Sequence, residues 1–272
     1  MAAHSSARPH AWRWIHRYPA VVRVSHWANV LCVVVLLMSG LQIFNAHPAL
    51  YWGEDSDFER PLVSIYWASG PDGRPTGITN ILGRRFDTTG VLGWSWINGR
   101  PVQRAFPAWL TIPSAQDLAT GRVWHLFFAW LFAINGLVYI GHSIVTGRFR
   151  RDLLPTRAEL GRIGATLRQH LMLRFHQHTE RYNVIQGLTY VVVIVVLAPI
   201  AVLTGLTMSP AIVAAAPWLL DVFGGRQSAR TIHFVATWMF VLFAAMHVAM
   251  VLTTGFVKNM RSMITGWYRV SE

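Results

Sequence analysis

Four apolar runs, each long enough to cross a lipid bilayer, constrain this chain more than anything else in it. A hydrocarbon core of about 30 Å requires roughly 20 apolar residues in a helix. Four segments meet that requirement, at about 21–44, 123–145, 184–208 and 231–257. Pro199 falls inside the third and predicts a kink there. With 53% apolar and 13% charged residues over 272 positions, the chain lacks the polar surface of a soluble domain. The expected fold class is an all-α membrane protein, a four-transmembrane-helix bundle forming a single domain over 1–272.

The charges between the runs give an orientation. Arg8, Arg13, Arg17 and Arg23 precede or open the first run, and Lys258, Arg261 and Arg269 follow the last. The segment 146–183 holds eight arginines, from Arg148 to Arg181, against Asp152, Glu159 and Glu180. The connection 46–121 is balanced in charge by comparison. Positive segments stay inside, so both termini are expected in the cytoplasm, with 46–121 and 209–230 outside. The net charge of +12 is thus expected to orient the chain in lipid, not to bind nucleic acid. The N-terminus lacks the short apolar core and cleavage site of a removable signal peptide.

The outer connection is long for a bundle. It carries Trp52, Trp67, Trp94, Trp96 and Trp109 among glycines and prolines, and is expected to be ordered. Two compatible roles fit it: an interfacial aromatic belt, or a docking platform for an extracytoplasmic partner. No internal repeat and no low-complexity tract is apparent.

Five of the twelve histidines fall inside the runs: His26, His125, His142, His233 and His247. The runs contain no Asp, Glu or Lys, and their only Arg is Arg23, at an end. Ionisable groups at membrane depth usually mark a functional interior. Histidine without carboxylate points to metal ligation by neutral imidazole, and paired histidines hold haem iron. The single cysteine, Cys32, excludes an internal disulfide and a CxxCH attachment site, so any haem would be b-type, held by coordination and packing.

Spacing sets the expected pairs. His233 and His247 lie 14 residues apart, which returns the helix to within about 40° of its starting direction after a rise of about 21 Å. Their imidazoles therefore point the same way at two depths. His125 opens the second run from outside and His26 opens the first from inside, so the expected pairs are His125 with His233 and His26 with His247. Gly40, 14 residues after His26, is expected to leave room for the outer porphyrin. His142 is turned about 100° from His125. It could contact the inner haem, line a quinone pocket, or replace His26 as ligand. Arg23, Arg122 and Arg230, each close to one of these histidines, are candidate propionate partners as well as ordinary interfacial charges.

The pattern of SHW at Ser25–Trp27, a histidine opening the second span and HX13H on the fourth resembles the bacterial cytochrome b561/Ni-hydrogenase-type cytochrome b family. That family includes the cytochrome b subunits of formate dehydrogenase, hydrogenase and thiosulfate reductase. WLTIPSAQDLATGRVWH (109–125), RRDLLPTRAEL (150–160), LTGLTMSP (203–210), FGGRQSARTIH (223–233) and NMRSMITG (259–266) resemble its cytochrome b/b6-domain branch in particular. The resemblance implies four haem ligands at His26, His125, His233 and His247. It also implies a quinone site near the inner haem, where Tyr182, Asn183 and Gln186 match a Y-N-x-x-Q stretch. Asn183 followed by Gln186 is equally the pattern of a plain helix cap. The long outer connection departs from the compact members.

The expected function is that of a di-haem cytochrome b membrane subunit. Such a subunit moves electrons between an extracytoplasmic molybdopterin oxidoreductase and quinone in a bacterial inner membrane. A free-standing superoxide:quinone oxidoreductase is the first alternative, with Arg100, Arg104 and Arg122 as a cationic pocket. A haem-free transporter or scaffold is the second.

Overall fold

The computed structural model describes residues 12–70, 72–97, 99–161, 164 and 184–271. Four of its helices are long and apolar enough to cross a membrane: α1 (Ala20–Phe44), α2 (Leu118–Val145), α3 (Val184–Leu206) and α4 (Arg226–Thr253). Large apolar side chains stand exposed along them, such as Leu137 and Val145 on α2 and Met246 on α4. Lipid is the solvent that accepts such surfaces.

The helix boundaries differ from the apolar runs because capping, not hydropathy, sets them. α2 starts a turn before its run. There the Asp117 carboxylate accepts hydrogen bonds from the Thr120 N–H at 3.0 Å and the Thr120 hydroxyl at 2.6 Å, which fixes the first turn. Those bonds hold the Asp117 carboxyl below its ordinary value. α4 likewise starts at Arg226, directly after Gly224 and Gly225, whose φ values of 71° and 101° turn the chain into it. At the other end, Gly255 at φ 110° breaks the helix, and a separate α5 (Phe256–Thr265) follows. Inside α3, residues Val192–Leu197 widen into a π-helical stretch just ahead of Pro199. Proline supplies no N–H, so the backbone re-registers before it.

The fold is mostly helical but not all-α. Among its described residues the connection 46–121 contains six strands: β2 (Ala49–Leu50), β3 (Val63–Ser69), β4 (Pro75–Ile81), β5 (Arg84–Asp87), β6 (Gly93–Ile97) and β7 (Arg100–Arg104). Strands β2–β3–β4–β5 form one antiparallel sheet in that order, and β6–β7 form a hairpin. Water explains the difference. An antiparallel sheet needs only one buried face, and the alternating burial of β3 and β4, with Ile65 and Thr79 inward, is a period-2 pattern. Leu82 and Gly83, at φ 49° and 82°, make the two-residue turn between β4 and β5. Two positive φ values suit the twist of a tight hairpin.

Two further strands pair outside this module. β1 (Trp12–His16) runs antiparallel to β8 (Trp267–Ser271), with Trp14 opposite Arg269.

The chain forms two compact units. One draws on residues 28–135 and 194–241, the other on the described residues within 1–27, 136–193 and 242–272. In the first, Leu41 and Phe44 at the end of α1 bury against Leu50, Ile65, Ala105 and Phe106 of the β module. Asn45 locks the same junction, accepting from the Phe106 N–H at 2.7 Å and donating to its carbonyl at 3.3 Å. Arg104 is buried and donates to the Ser114 carbonyl, Gln42 Oε1 and Thr111 Oγ1. In the second unit Arg17 and Lys258 lie over the Tyr268 ring at 4.9 and 4.4 Å, and Arg148 pairs with Asp152 at 3.2 Å.

Two predictions follow from the junctions. Strands β4 and β6 cross so closely that a Cβ on Gly77 would lie 2.2 Å from the Leu92 carbonyl oxygen, a backbone atom. Overpacking costs about 1–3 kcal/mol or more, so Gly77→Ala should open the β module. Limited proteolysis should cut the variant between residues 63 and 104 faster than the parent.

His47 packs against Tyr51 and Phe58, and its Nε2 is buried without a partner. Burial, and then the Arg230 charge, hold its pKa below the ordinary 6.5. A histidine whose pKa is lowered in the folded state stabilises it fully above the unfolded value and less as pH falls below that value. The melting temperature of the purified protein should therefore drop as pH falls below about 6.5, and His47→Gln should flatten that dependence. An unchanged pH profile in the variant would refute the assignment.

Candidate functional site

Two pairs of imidazoles face each other, one pair in each unit. In the first unit His125 of α2 and His233 of α4 have ring centroids 6.2 Å apart, with planes at 67°. In the second, His26 of α1 and His247 of α4 are also 6.2 Å apart, at 53°. A metal–imidazole bond is about 2 Å long, so two rings on opposite sides of one ion have centres about 6 Å apart. Each pair fits an iron between its rings. Among the described residues no group of three or more His, Cys, Asp or Glu could hold a metal. An ion bound by side chains alone takes more donors than two, whereas haem iron takes only axial ligands from protein.

The proton positions in the first pair are fixed by what surrounds them. His233 Nδ1 lies 2.9 Å from the Ala201 carbonyl oxygen and 3.1 Å from Thr204 Oγ1. A carbonyl only accepts, so Nδ1 carries the proton and Nε2 is left with a free lone pair. His125 is held in the same way, by the Leu36 carbonyl and by Ser39 Oγ at 3.1 Å from Nδ1. This is the tautomer that ligates metal through Nε2.

Gly40 serves the imidazole directly. A Cβ there would lie 3.3 Å from His125 Cε1, so the glycine admits the edge of that ring. Gly205 does the same for His233, also at 3.3 Å from Cε1. Ser39, Thr204 and Gly205 were missed by sequence reasoning. The available signal was short: Ser39–Leu41 reads SGL and Thr204–Leu206 reads TGL.

The second pair has different surroundings. His26 Nδ1 is buried with no hydrogen-bond partner, and the ring meets Trp27 edge-on at 5.1 Å. Trp27 Nε1 donates to the Met263 carbonyl at 3.2 Å. His247 stacks on Phe243 at 5.7 Å and meets the edge of Tyr190 at 6.2 Å.

The remaining candidates are dispersed. Arg23 donates to the Ile264 carbonyl, while its Nε is buried and unpartnered. Arg230 donates to the His47 carbonyl and lies over the Phe44 ring at 5.7 Å. Arg122 is exposed. Arg104 is committed internally and does not reach the surface, which removes it from any exposed cationic pocket with Arg100. His142 has a buried, unpartnered Nδ1. Gln186 is half-buried in the first turn of α3, which packs close to Leu153: a Cβ on Gly187 would meet the Leu153 carbonyl at 2.8 Å. Among the described residues no hydrogen bond joins His142 or Gln186 to the His26–His247 pair. Tyr182 and Asn183 lie outside the described residues.

Comparison with known proteins agrees with a haem-binding bundle. The family model of prokaryotic cytochrome b561 matches residues 17–266. The chain is similar to a protein of Azospira oryzae named "Putative protein-methionine-sulfoxide reductase subunit YedZ1". The two are 28% identical over 235 residues, covering 86% of this chain and 89% of that protein. No solved structure matches the chain. With four membrane-length helices and a family match over nearly its whole length, the chain belongs to the prokaryotic cytochrome b561 family and is a multi-pass protein of the bacterial inner membrane.

Proposed function

We infer that the chain is a di-haem cytochrome b subunit carrying electrons between an extracytoplasmic redox partner and the membrane quinone pool. The observation that carries this reading is the presence of two imidazole pairs, each with centroids 6.2 Å apart and each drawing one histidine from α4. One pair would mark a single haem; two pairs on a shared helix give a route with two stops. Bound haem b supplies reversible one-electron chemistry at iron. The protein contributes the Nε2 lone pairs of His125 and His233 on the outer side and the imidazoles of His26 and His247 on the inner side. It also contributes a surround without water.

The four spans form one cytochrome b domain with both termini in the cytoplasm and residues 46–121 outside. The arginine-rich segments before α1 and after α2 support that orientation. The β module on the outer connection is the surface offered to a soluble catalytic subunit. The similarity to a reductase subunit favours a partner of that kind, and the family resemblance favours a molybdopterin-dependent one. With a reductase as partner, electrons run from quinol on the inner side toward the outer haem. Gln186, Asn183 and His142 are the proposed quinone contacts: their amides donate to or accept from the quinone oxygens, and the unpartnered Nδ1 of His142 adds a polar group at the same end of the bundle. Arg23, Arg122 and Arg230 are proposed to pair with propionates.

A pyridine-haemochrome assay on the purified protein should give two haems per chain, with a b-type α-band on dithionite reduction. His233→Ala and His247→Ala should each retain one haem. Two haems bound in both variants would overturn the ligand assignment, and a colourless, folded parent protein would overturn the function.

A further inference from the structure

The surroundings of His125 and His233 repeat each other atom for atom, although the residues that build them are far apart in sequence. On α1, Ser39 Oγ donates to the Val35 carbonyl at 2.6 Å and approaches that of Leu36 at 3.3 Å. On α3, Thr204 Oγ1 donates to the Ile200 carbonyl at 2.6 Å and approaches that of Ala201 at 3.2 Å. Both hydroxyl oxygens stand 3.1 Å from a histidine Nδ1. The next residue in each case is a glycine whose Cβ would lie 3.3 Å from Cε1 and 3.6 Å from Nδ1 of the same ring. Ser39 and Thr204 are both fully buried.

In each cradle the hydroxyl proton is committed to a carbonyl four residues back, so the hydroxyl oxygen has only its lone pairs to offer the ring. The ring N–H is therefore shared between two acceptors, the hydroxyl oxygen and the carbonyl three residues before it. Drawing on a ring proton from the far side makes the other nitrogen a stronger donor to metal. A helix that only packed its Ser or Thr would need no glycine after it and no histidine at its oxygen; both features occur twice.

The geometry points to Ser39–Gly40 and Thr204–Gly205 as twin positioning cradles that set the orientation and donor strength of the two axial ligands of one haem, and through them its reduction potential. This rests on the haem reading of the His125–His233 pair. The other pair is built differently, since His26 Nδ1 has no partner. Removing a cradle hydroxyl should therefore affect one haem and spare the other. Stronger donation favours ferric iron, so losing the hydroxyl raises the potential.

The test is spectroelectrochemical titration of the intact, detergent-solubilised protein, with haem counted by pyridine haemochrome in each sample. Thr204→Val should move one of the two redox waves to higher potential and leave the second in place. The ceiling is about tenfold in the ferric-to-ferrous binding ratio, or about 59 mV for one electron, because the Ala201 carbonyl remains as an acceptor. Thr204→Ser should restore the parent value, and Ser39→Ala should move the same wave in the same direction. Two retained haems with neither wave displaced by Thr204→Val or Ser39→Ala would overturn the proposal while leaving the di-haem reading intact. So would equal displacement by Thr204→Ser and Thr204→Val. If Thr204→Val fails to assemble, Ser39→Ala decides the matter alone. A parent protein without haem would sink both readings.

Discussion

A polar atom at membrane depth is best satisfied by the protein itself, and that rule governs the His125 and His233 imidazoles. A neutral histidine has one N–H and one lone pair, and inside a bilayer neither can be left to water. The structure settles the N–H of His233 on the Ala201 carbonyl and Thr204, and that of His125 on the Leu36 carbonyl and Ser39. What remains on each ring is the Nε2 lone pair, and the two ring centroids lie 6.2 Å apart, the separation left by an electron-poor atom held between two imidazoles. A metal ion is the simplest such occupant, and the family to which the chain belongs is one of haem proteins. The transporter and scaffold alternatives have no comparable use for this arrangement.

The spans and the histidine pairs were legible in the sequence because both depend on regular geometry. Apolar length needs only counting, and a spacing of 14 residues on an unbroken helix has one meaning whatever surrounds it. The helix ends were not legible from hydropathy. Asp117, the Gly224–Gly225 pair and Gly255 decide them by capping and by positive φ, signals that occupy one or two residues beside runs of twenty. The β module was hidden for a related reason. Its signals are also one or two residues long: Leu82–Gly83 turns the chain without the usual Asn-Gly or Asp-Gly marker, Asn98-Gly99, which does carry that marker between 93–97 and 100–104, was not used, and the tryptophans have the composition of an interfacial belt. Trp67 and Trp94 instead pack on each other across the module, with ring centroids 5.7 Å apart.

Within the site, sequence reasoning found the ligand candidates and missed what holds them. A Ser or Thr inside a helix ordinarily bonds the carbonyl a turn back, and Ser39 and Thr204 both do so. Their second contact, to a histidine on a neighbouring helix, depends on which helices pack together, and no local pattern encodes that. The same limit explains Arg104. As a residue it reads as surface charge; in the fold it is buried and joins α1 to the segment leading into α2 through Gln42, Thr111 and Ser114. Gly40 was singled out by its helix face, and the structure places the His125 ring beside it, a neighbour that a rotation angle alone does not identify.

The β module and the His125–His233 pair belong to one unit and share their supports. The first turn of α4 leaves backbone N–H groups without helical partners, and the module supplies them. The Gly53 carbonyl accepts from the N–H groups of Gln227 and Ser228 at 3.0 and 3.1 Å, and the Glu54 carboxylate accepts from that of Arg226. One turn further on, Thr231 Oγ1 donates to the Tyr51 carbonyl at 2.6 Å, and Phe234 packs on Phe44 of α1 at 4.9 Å. His233 sits between those last two contacts. Residues 51–54 thus fix the register at which α4 presents its first imidazole. The module is therefore the clamp that positions the stretch of α4 carrying His233. A chain with a minimal first connection would have to cap α4 by other means, so the length of 46–121 has a structural cause apart from docking.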